Sequence, residues 1–370
     1  MVQRIPFYTK LAHILICLIA LVYIAIAGQT IIAPIIFALL FSFLLLPLAG
    51  FLEKKCKFPR LLSSAVSLLG LTFVILTMVY LLGSQISDLA QDWPAFQLQV
   101  IDAVARLQTW IENTFNIDTT DQVNYLSQGA LSAFSTGTSI IGFTLLSVSS
   151  LLIFFVLIFF YTFFILLHRR LLLRFIVAVF PEKHSVTVYN VASEVEYIVK
   201  RYVFGIFLQM SIVTVLTCIG FAIIGIKYSF LLGLITGIFN VIPYVGILIA
   251  FLLAAIVTFA TTSFTHVLLV VLVLSIIHII DGNFIMPKIV GSKVKINTLI
   301  ALLGLVMGEM IWGITGMLLS IPVIAVIKVI FDHVDGLKPW GMLLGEDDSD
   351  PDKKPAIVEV IEDEDQLKEG

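Results

Sequence analysis

The chain has 370 residues, of which 59% are hydrophobic and only 13% charged, about half the charged fraction of a soluble domain. That excludes an ordinary soluble globule and asks for lipid as solvent, where backbone groups must be satisfied within helices or a closed barrel. The net charge of −3 is uneven: residues 346–370 carry 11 acidic and 3 basic side chains, leaving a surplus of 5 positive charges on the remainder. Apolar runs of 17 residues or more, without strand-like alternation, select helices. The fold class is therefore all-α: a polytopic membrane protein with about six full spans, two re-entrant or broken helical hairpins, and an external amphipathic helical segment.

In chain order the apolar runs fall at 11–27, 31–52, 61–84, 141–167, 204–226, 228–260, 266–283 and 297–330. Arg4 and Lys10 precede the first, and Ala25-Ile26-Ala27 resembles a signal-peptidase site. Because a second apolar run follows almost at once, the first is read as a retained span. Lys54, Lys55, Lys57 and Arg60 follow the second run, whereas residues 85–140 hold six acidic side chains against Arg106 alone. Arg169, Arg170, Arg174, Lys183, Lys200 and Arg201 follow the fourth. Basic loops mark the cytoplasmic side, so 53–60, 168–203 and 331–370 are expected inside, with 85–140 outside.

The external segment carries an apolar stripe at Leu89, Trp93, Phe96, Val100, Val104, Leu107 and Ile111, the spacing of an amphipathic helix. A shorter stripe follows at Val123, Leu126, Ala130 and Phe134. These faces suit packing on the membrane domain or a subunit contact. Glu182 to Val203 reads as a cytoplasmic amphipathic helix, with Val188, Ala192, Val195, Val199 and Tyr202 on one face.

The run 228–260 would be about 50 Å long as one helix, against a hydrocarbon core of about 30 Å. It is interrupted at Asn240–Gly246, where Pro243 removes a donor and disrupts the preceding turn. A hairpin entering and leaving on the outer side fits these lengths. It also puts Lys288, Lys293 and Lys295 inside after the next span. The run 297–330 repeats the pattern, interrupted around Gly308–Gly316, and its hairpin is entered from inside. A span plus hairpin is thus followed by a second, inverted unit, the organisation of secondary transporters. Five parts follow: 1–84 with three spans; 85–140 outside; 141–203 with the fourth span and the cytoplasmic helix; 204–335 as the transport core; and an acidic tail, 336–370, expected to be disordered.

At these same residues the sequence resembles the autoinducer-2 exporter family of bacterial permease-like membrane proteins. The matching pieces are Gly237-Ile-Phe-Asn-Val-Ile-Pro-Tyr-Val-Gly246, Asn283-Phe-Ile-Met-Pro-Lys-Ile-Val-Gly291 and Gly313-Ile-Thr-Gly-Met-Leu-Leu-Ser-Ile-Pro322. The resemblance covers most of residues 10–335. It implies a bacterial inner-membrane transporter, homo-oligomers, and a scaffold against which a hairpin-containing domain moves; the loop charges and span count put both termini in the cytoplasm. It does not separate signal export from cation/proton exchange.

Among polar residues at membrane depth, Glu309 stands out, at the expected hairpin tip between glycines. An ionisable group there is a functional hypothesis by default, and Glu309→Gln is expected to alter transport more than Asp281→Asn. Asp281 and His278 share a helix face and are expected near the cytoplasmic end of a span, as an interfacial cap or a proton or solute contact. Asn240, Asn283, Asn297 and Thr315 supply uncharged donors and acceptors beside interrupted helices. Pro243 and Gly246 belong to the same candidate pathway. Gly291, Gly313 and Gly316 allow tight turns or close approach, while Pro287 and Pro322 complete the structural motifs. Lys227 is expected to snorkel from a short external turn. Cys17, Cys56 and Cys218 lack metal-ligand spacing and read as packing residues.

No phosphate-cradling Gly-Lys-Ser/Thr loop, His-Glu metal pair or nucleophile elbow occurs, so no enzyme, cofactor or metal is expected, and the short basic loops do not resemble a nucleic-acid surface. The leading expectation is a secondary transporter exporting a small, polar, largely uncharged metabolite through the lipid bilayer. Its alternatives are a monovalent cation/proton antiporter using Glu309 or Asp281, and a non-transporting membrane scaffold. An antiporter would place both carboxylates on one water-accessible cavity.

Overall fold

A computed structural model describes residues 6–92, 151–242, 245–291 and 296–345, with isolated positions at 98, 105 and 109. Every regular element among them is helical. In order these are α1 (Phe7–Ala27), α2 (Gln29–Lys54), α3 (Arg60–Gln91), α4 (Leu151–Val179), α5 (Ser185–Ile223), α6 (Ser229–Phe239), α7 (Val245–Thr261), α8 (Phe264–Ile280 and beyond), α9 (Thr298–Trp312), α10 (Ile314–His333) and α11 (Lys338–Leu344). The stripe beyond Leu89, Pro243, Lys293, Lys295 and the acidic tail lie outside the described residues.

Six described helices are long and apolar enough to cross a membrane, namely α2, α3, α4, α5, α8 and α10. Several overrun the expected boundaries. The amphipathic helix expected at 182–203 and the fifth apolar run form one unbroken helix of 39 residues, α5. No proline or glycine pair interrupts it at Val203, so nothing in the backbone ends the ladder where the hydropathy changes. Likewise α4 runs on to Val179 and carries Arg169, Arg170 and Arg174 on its own last turns. At 20 residues α10 is long enough to span by itself.

Both long runs are broken and folded back. The first gives α6, 11 residues or about 17 Å of rise, and α7, 17 residues. The second turns at Gly313, whose φ of +60° is open to glycine but strained for side chains. From that turn α9 and α10 run antiparallel in tight contact. A Cβ on Gly316 would lie 1.9 Å from the Gly308 carbonyl oxygen, and one on Gly304 would meet Ile324 at 2.2 Å. The Trp312 indole N–H donates to the Ala25 carbonyl at 2.9 Å, tying the hairpin tip to the end of α1.

Helix α8 does not end at residue 283. It continues through two π-helical turns, Asp281–Ile285 and Pro287–Gly291. The Met286 N–H reaches the Asp281 carbonyl, an i→i+5 bond, and Pro287 has no N–H to offer the normal ladder. Such widened turns recur at functional sites.

The core of the protein lies where α5, α6, α7 and α8 meet. Phe221, Leu231, Leu232, Ala254, Val270 and Leu274 are buried there as one cluster, with Leu82 and Leu89 of α3 packed against it. A second cluster, Val199, Tyr202 and Val203, joins the other half of α5 to α2 and α10. Between α2 and α4, Arg169 Nη2 donates to both Glu53 oxygens at 2.7 and 2.6 Å, and the Ser63 hydroxyl donates to Glu53 at 3.2 Å. Two cysteine expectations fail: Cys17 and Cys56 are exposed, and only Cys218 packs, against Gly233.

Candidate functional site

The four helices of the core each present a buried stripe at i, i+4 spacing: Gln209, Val213, Thr217 and Phe221 on α5; Leu232 and Thr236 on α6; Ala250, Ala254 and Thr258 on α7; Val270 and Leu274 on α8. Asp281 closes one end. It is 3% exposed, and its carboxylate accepts from Gln209 Nε2 at 3.0 and 2.9 Å and from Asn240 Nδ2 at 3.0 Å. Among the described residues no basic side chain stands within ion-pair distance of it.

That arrangement can be weighed. A carboxylate at the middle of a membrane helix costs about 2.5–3.5 kcal/mol on insertion scales. Hydrogen bonds to a charged group contribute about 1.5–3 kcal/mol each, so the two amides offset a burial of this size. Of the two expectations for Asp281, an interfacial cap or a proton or solute contact, its burial favours the second, since a cap would stay in reach of water. Because α8 continues past it, the residue faces the bundle interior.

Close backbone approach brings the three side chains together. A Cβ on Gly237 would lie 1.9 Å from Thr214 Oγ1, so α6 sits directly on α5. Helix α6 then stops at Asn240, whose own N–H still bonds to the Thr236 carbonyl at 3.0 Å. Gly246 has the Phe239 carbonyl oxygen 1.7 Å from its would-be Cβ, so only glycine lets α7 turn back this tightly. Above Asp281 lies a cavity of about 20 Å³, lined by Val213, Thr236, Asn240, Ile247 and His278 among others. That volume admits about one water.

Of the residues singled out in the sequence, the structure gathers Asn240, His278 and Asp281 at this cavity, while Gly246 packs on the Phe239 carbonyl beside the lining residue Ile247. It leaves others elsewhere. Glu309 is exposed on α9, one turn before Gly313, and does not line the cavity, so the two carboxylates do not share it. Asn283 is exposed and donates to the Ile279 carbonyl at 2.8 Å; Asn297 caps α9 by accepting from the Leu299 N–H at 2.9 Å. Thr315 is half-buried beside Gly316, Pro322 is buried within α10, and Pro287 and Gly291 bound the second π-helical turn. Gln209 was missed. The available signal was a lone amide inside an otherwise apolar run, without the helix break that draws attention to Asn240.

At the opposite end of the bundle, Lys227 does not merely snorkel. Its ammonium pairs with Asp92 at the end of α3, and the Tyr228 hydroxyl donates to the same carboxylate. The hydrogen bond from Lys227, and then that from Tyr228, hold the Asp92 carboxyl below its ordinary range, while Asp92 raises Lys227 in turn. No group of three or more acidic, His or Cys side chains suited to a metal ion occurs among the described residues.

Comparison with known proteins agrees with this architecture. The sequence pattern of the AI-2E family transporters matches residues 15–336. The chain is 38% identical over 132 residues to a Bacillus subtilis (strain 168) protein named "Putative transport protein YrrI", covering 36% of this chain and 37% of that one. The aligned part therefore spans little more than a third of that relative. It is 24% identical over 329 residues to the AI-2 transport protein TqsA of Escherichia coli (strain K12), covering 85% of this chain and 90% of TqsA. With the helical membrane fold and a match over nearly its whole length, the chain belongs to the AI-2E family of transporters.

Proposed function

We propose that the protein is a secondary transporter that exports a small, polar, hydroxyl-bearing solute of the autoinducer-2 kind, and that Asp281, Asn240 and Gln209 form its binding site. The observation that carries this reading is the buried carboxylate held by two amides, without a countercharge among the described residues, beside a cavity in a broken-helix bundle. An ionised carboxylate accepts strongly from solute hydroxyls, and each amide offers both a donor and an acceptor. The name of TqsA, a relative over most of both chains, supports the solute class. In this reading the α6–α7 hairpin is re-entrant from the outside, since about 17 Å of α6 cannot cross about 30 Å of hydrocarbon. Both termini are cytoplasmic, α2–α4 act as scaffold, and the protein works as a homo-oligomer.

Cation/proton exchange is the second reading, and one feature favours it: Asp281 has no basic side chain within ion-pair distance among the described residues and has His278 in the same cavity wall. Proteoliposomes holding the purified chain separate the two. Loaded with autoinducer-2, wild-type vesicles should release it and Asp281→Asn vesicles should not. If autoinducer-2 is retained while sodium or lithium ions drive proton movement that Asp281→Asn abolishes, the antiporter reading replaces the first.

A further inference from the structure

Two buried hydroxyls point to a route beyond the site. In apolar helices, Ser and Thr side chains usually close onto the carbonyl four residues back, and here Thr72, Thr77, Thr236 and Thr261 do so at 2.7–2.9 Å. Thr217 and Thr258 do not. Both are 0% exposed, and neither hydroxyl has a hydrogen-bond partner. The other two orphaned hydroxyls among the described residues, Ser64 and Ser67, sit on α3, away from the cavity. A desolvated hydroxyl left unpaired inside a bundle is costly and calls for an explanation.

Their positions supply one. Thr217 lies two turns beyond Gln209 on the buried stripe of α5, and Thr258 two turns beyond Ala250 on that of α7. Both stripes run from the Asp281 cavity toward the α5–α6 turn. The same stretch is filled by Phe221, Leu232 and Leu274, each no more than 2% exposed, and α3 backs this plug through Leu82 and Leu89. The Asp92–Lys227–Tyr228 contacts then fasten the end of α3 to the turn itself.

We propose that the solute leaves the Asp281 site through the interior of α5–α8, along the hydroxyls of Thr217 and Thr258, past an apolar gate of Phe221, Leu232 and Leu274 that the Asp92–Lys227–Tyr228 lock holds shut. The path rests on the reading of Asp281 as the solute site and adds to it an outer gate and two stepping points. The structure is the closed form. When the gate parts, the two hydroxyls meet the solute's own hydroxyls and so lower the barrier between the site and the exterior.

The test uses efflux of autoinducer-2 from proteoliposomes, with thermal melting of the same preparations. Thr217→Val and Thr258→Val keep shape and remove the orphaned group, so melting should be unchanged or higher. Efflux should fall about tenfold for each, the worth of one hydrogen bond, and Thr217→Ser should restore it to within twofold. Lys227→Met should speed release by loosening the lock. Both valine variants transporting at the wild-type rate, with Lys227→Met also unchanged, would overturn the path. Asp281→Asn in parallel separates the two claims. If it alone blocks efflux, the site stands and the path falls; if it transports normally, the site reading fails first.

Discussion

Gly316 gives the sharpest structural prediction, because its surroundings fix the size of the effect. A methyl group there would sit 1.9 Å from the Gly308 carbonyl oxygen and 2.6 Å from its carbon, both backbone atoms that cannot rotate aside. Relieving the clash requires α9 and α10 to separate by more than an ångström. That strains the Gly304–Ile324 contact and the Trp312–Ala25 hydrogen bond at the hairpin tip. Overpacking of this kind costs about 1–3 kcal/mol, against a gain of about 1 kcal/mol from replacing glycine in a helix. Gly316→Ala should therefore be net destabilised by up to about 2 kcal/mol, and Gly308→Ala, with Gly316 oxygen 2.5 Å away, somewhat less. The internal controls are Gly50→Ala and Gly83→Ala, in helices with nothing within 4 Å, which should hold or gain stability. Melting of detergent-solubilised protein, followed by loss of monodisperse material, reads the order. Gly316→Ala melting at or above both controls would refute the packing argument.

Other outcomes follow from the same geometry. Glu309→Gln should leave autoinducer-2 efflux within twofold of wild type, and Asp281→Asn should nearly abolish it, an order opposite to that expected from sequence; parallel efflux assays decide. Arg169→Met strips Glu53 of its partner at a site where the pair is 23% and 15% exposed. Breaking a buried pair costs about 3–5 kcal/mol, an upper bound here, and a melting point unchanged within error would show that the pair is dispensable. The lock at Asp92 should respond to pH at the extremes only. The lowered carboxyl stabilises above its unfolded value of about 3.9, and that contribution is lost as pH falls through the folded value. The raised Lys227 stabilises below about 10.4, a contribution lost as pH rises through its folded value. Between about pH 5 and 9 the melting difference between wild type and Lys227→Met should thus be flat, and a slope near neutrality would contradict the assignment.

Much of this fold was legible from hydropathy alone. The broken runs at Asn240–Gly246 and around Gly313 announced folded-back helices, because their lengths exceed a bilayer and their glycines permit turns. Helix ends were harder to place. Hydropathy changes at Val203 and at His168, yet a helix stops only where its hydrogen-bond ladder is broken, and neither position breaks it. The same difficulty left Asp281 open between an interfacial cap and a proton or solute contact, because the apolar run ends beside it. Two π-helical turns carry α8 onward and turn that carboxylate inward, and no local periodicity reports such an extra residue. Lys227 looked like a solitary charge since its partner, Asp92, lies 135 positions earlier in the chain. Gln209 could have been singled out, as a lone amide in an apolar run, but only the approach of α6 at Gly237 shows what it faces.

The central claim is that Asp281 and its two amides bind the solute, and equilibrium binding of autoinducer-2 to purified protein tests it without needing transport to occur. Each solute hydroxyl bonded to an ionised carboxylate rather than an amide gains about 1–1.5 kcal/mol. For two hydroxyls that is about 2–3 kcal/mol, or about 30- to 150-fold in Kd. Asp281→Asn, which keeps the shape of the site, should weaken binding by that factor, and Asn240→Leu should weaken it as well. A wild-type chain that binds autoinducer-2 with an affinity Asp281→Asn matches to within twofold would contradict the account.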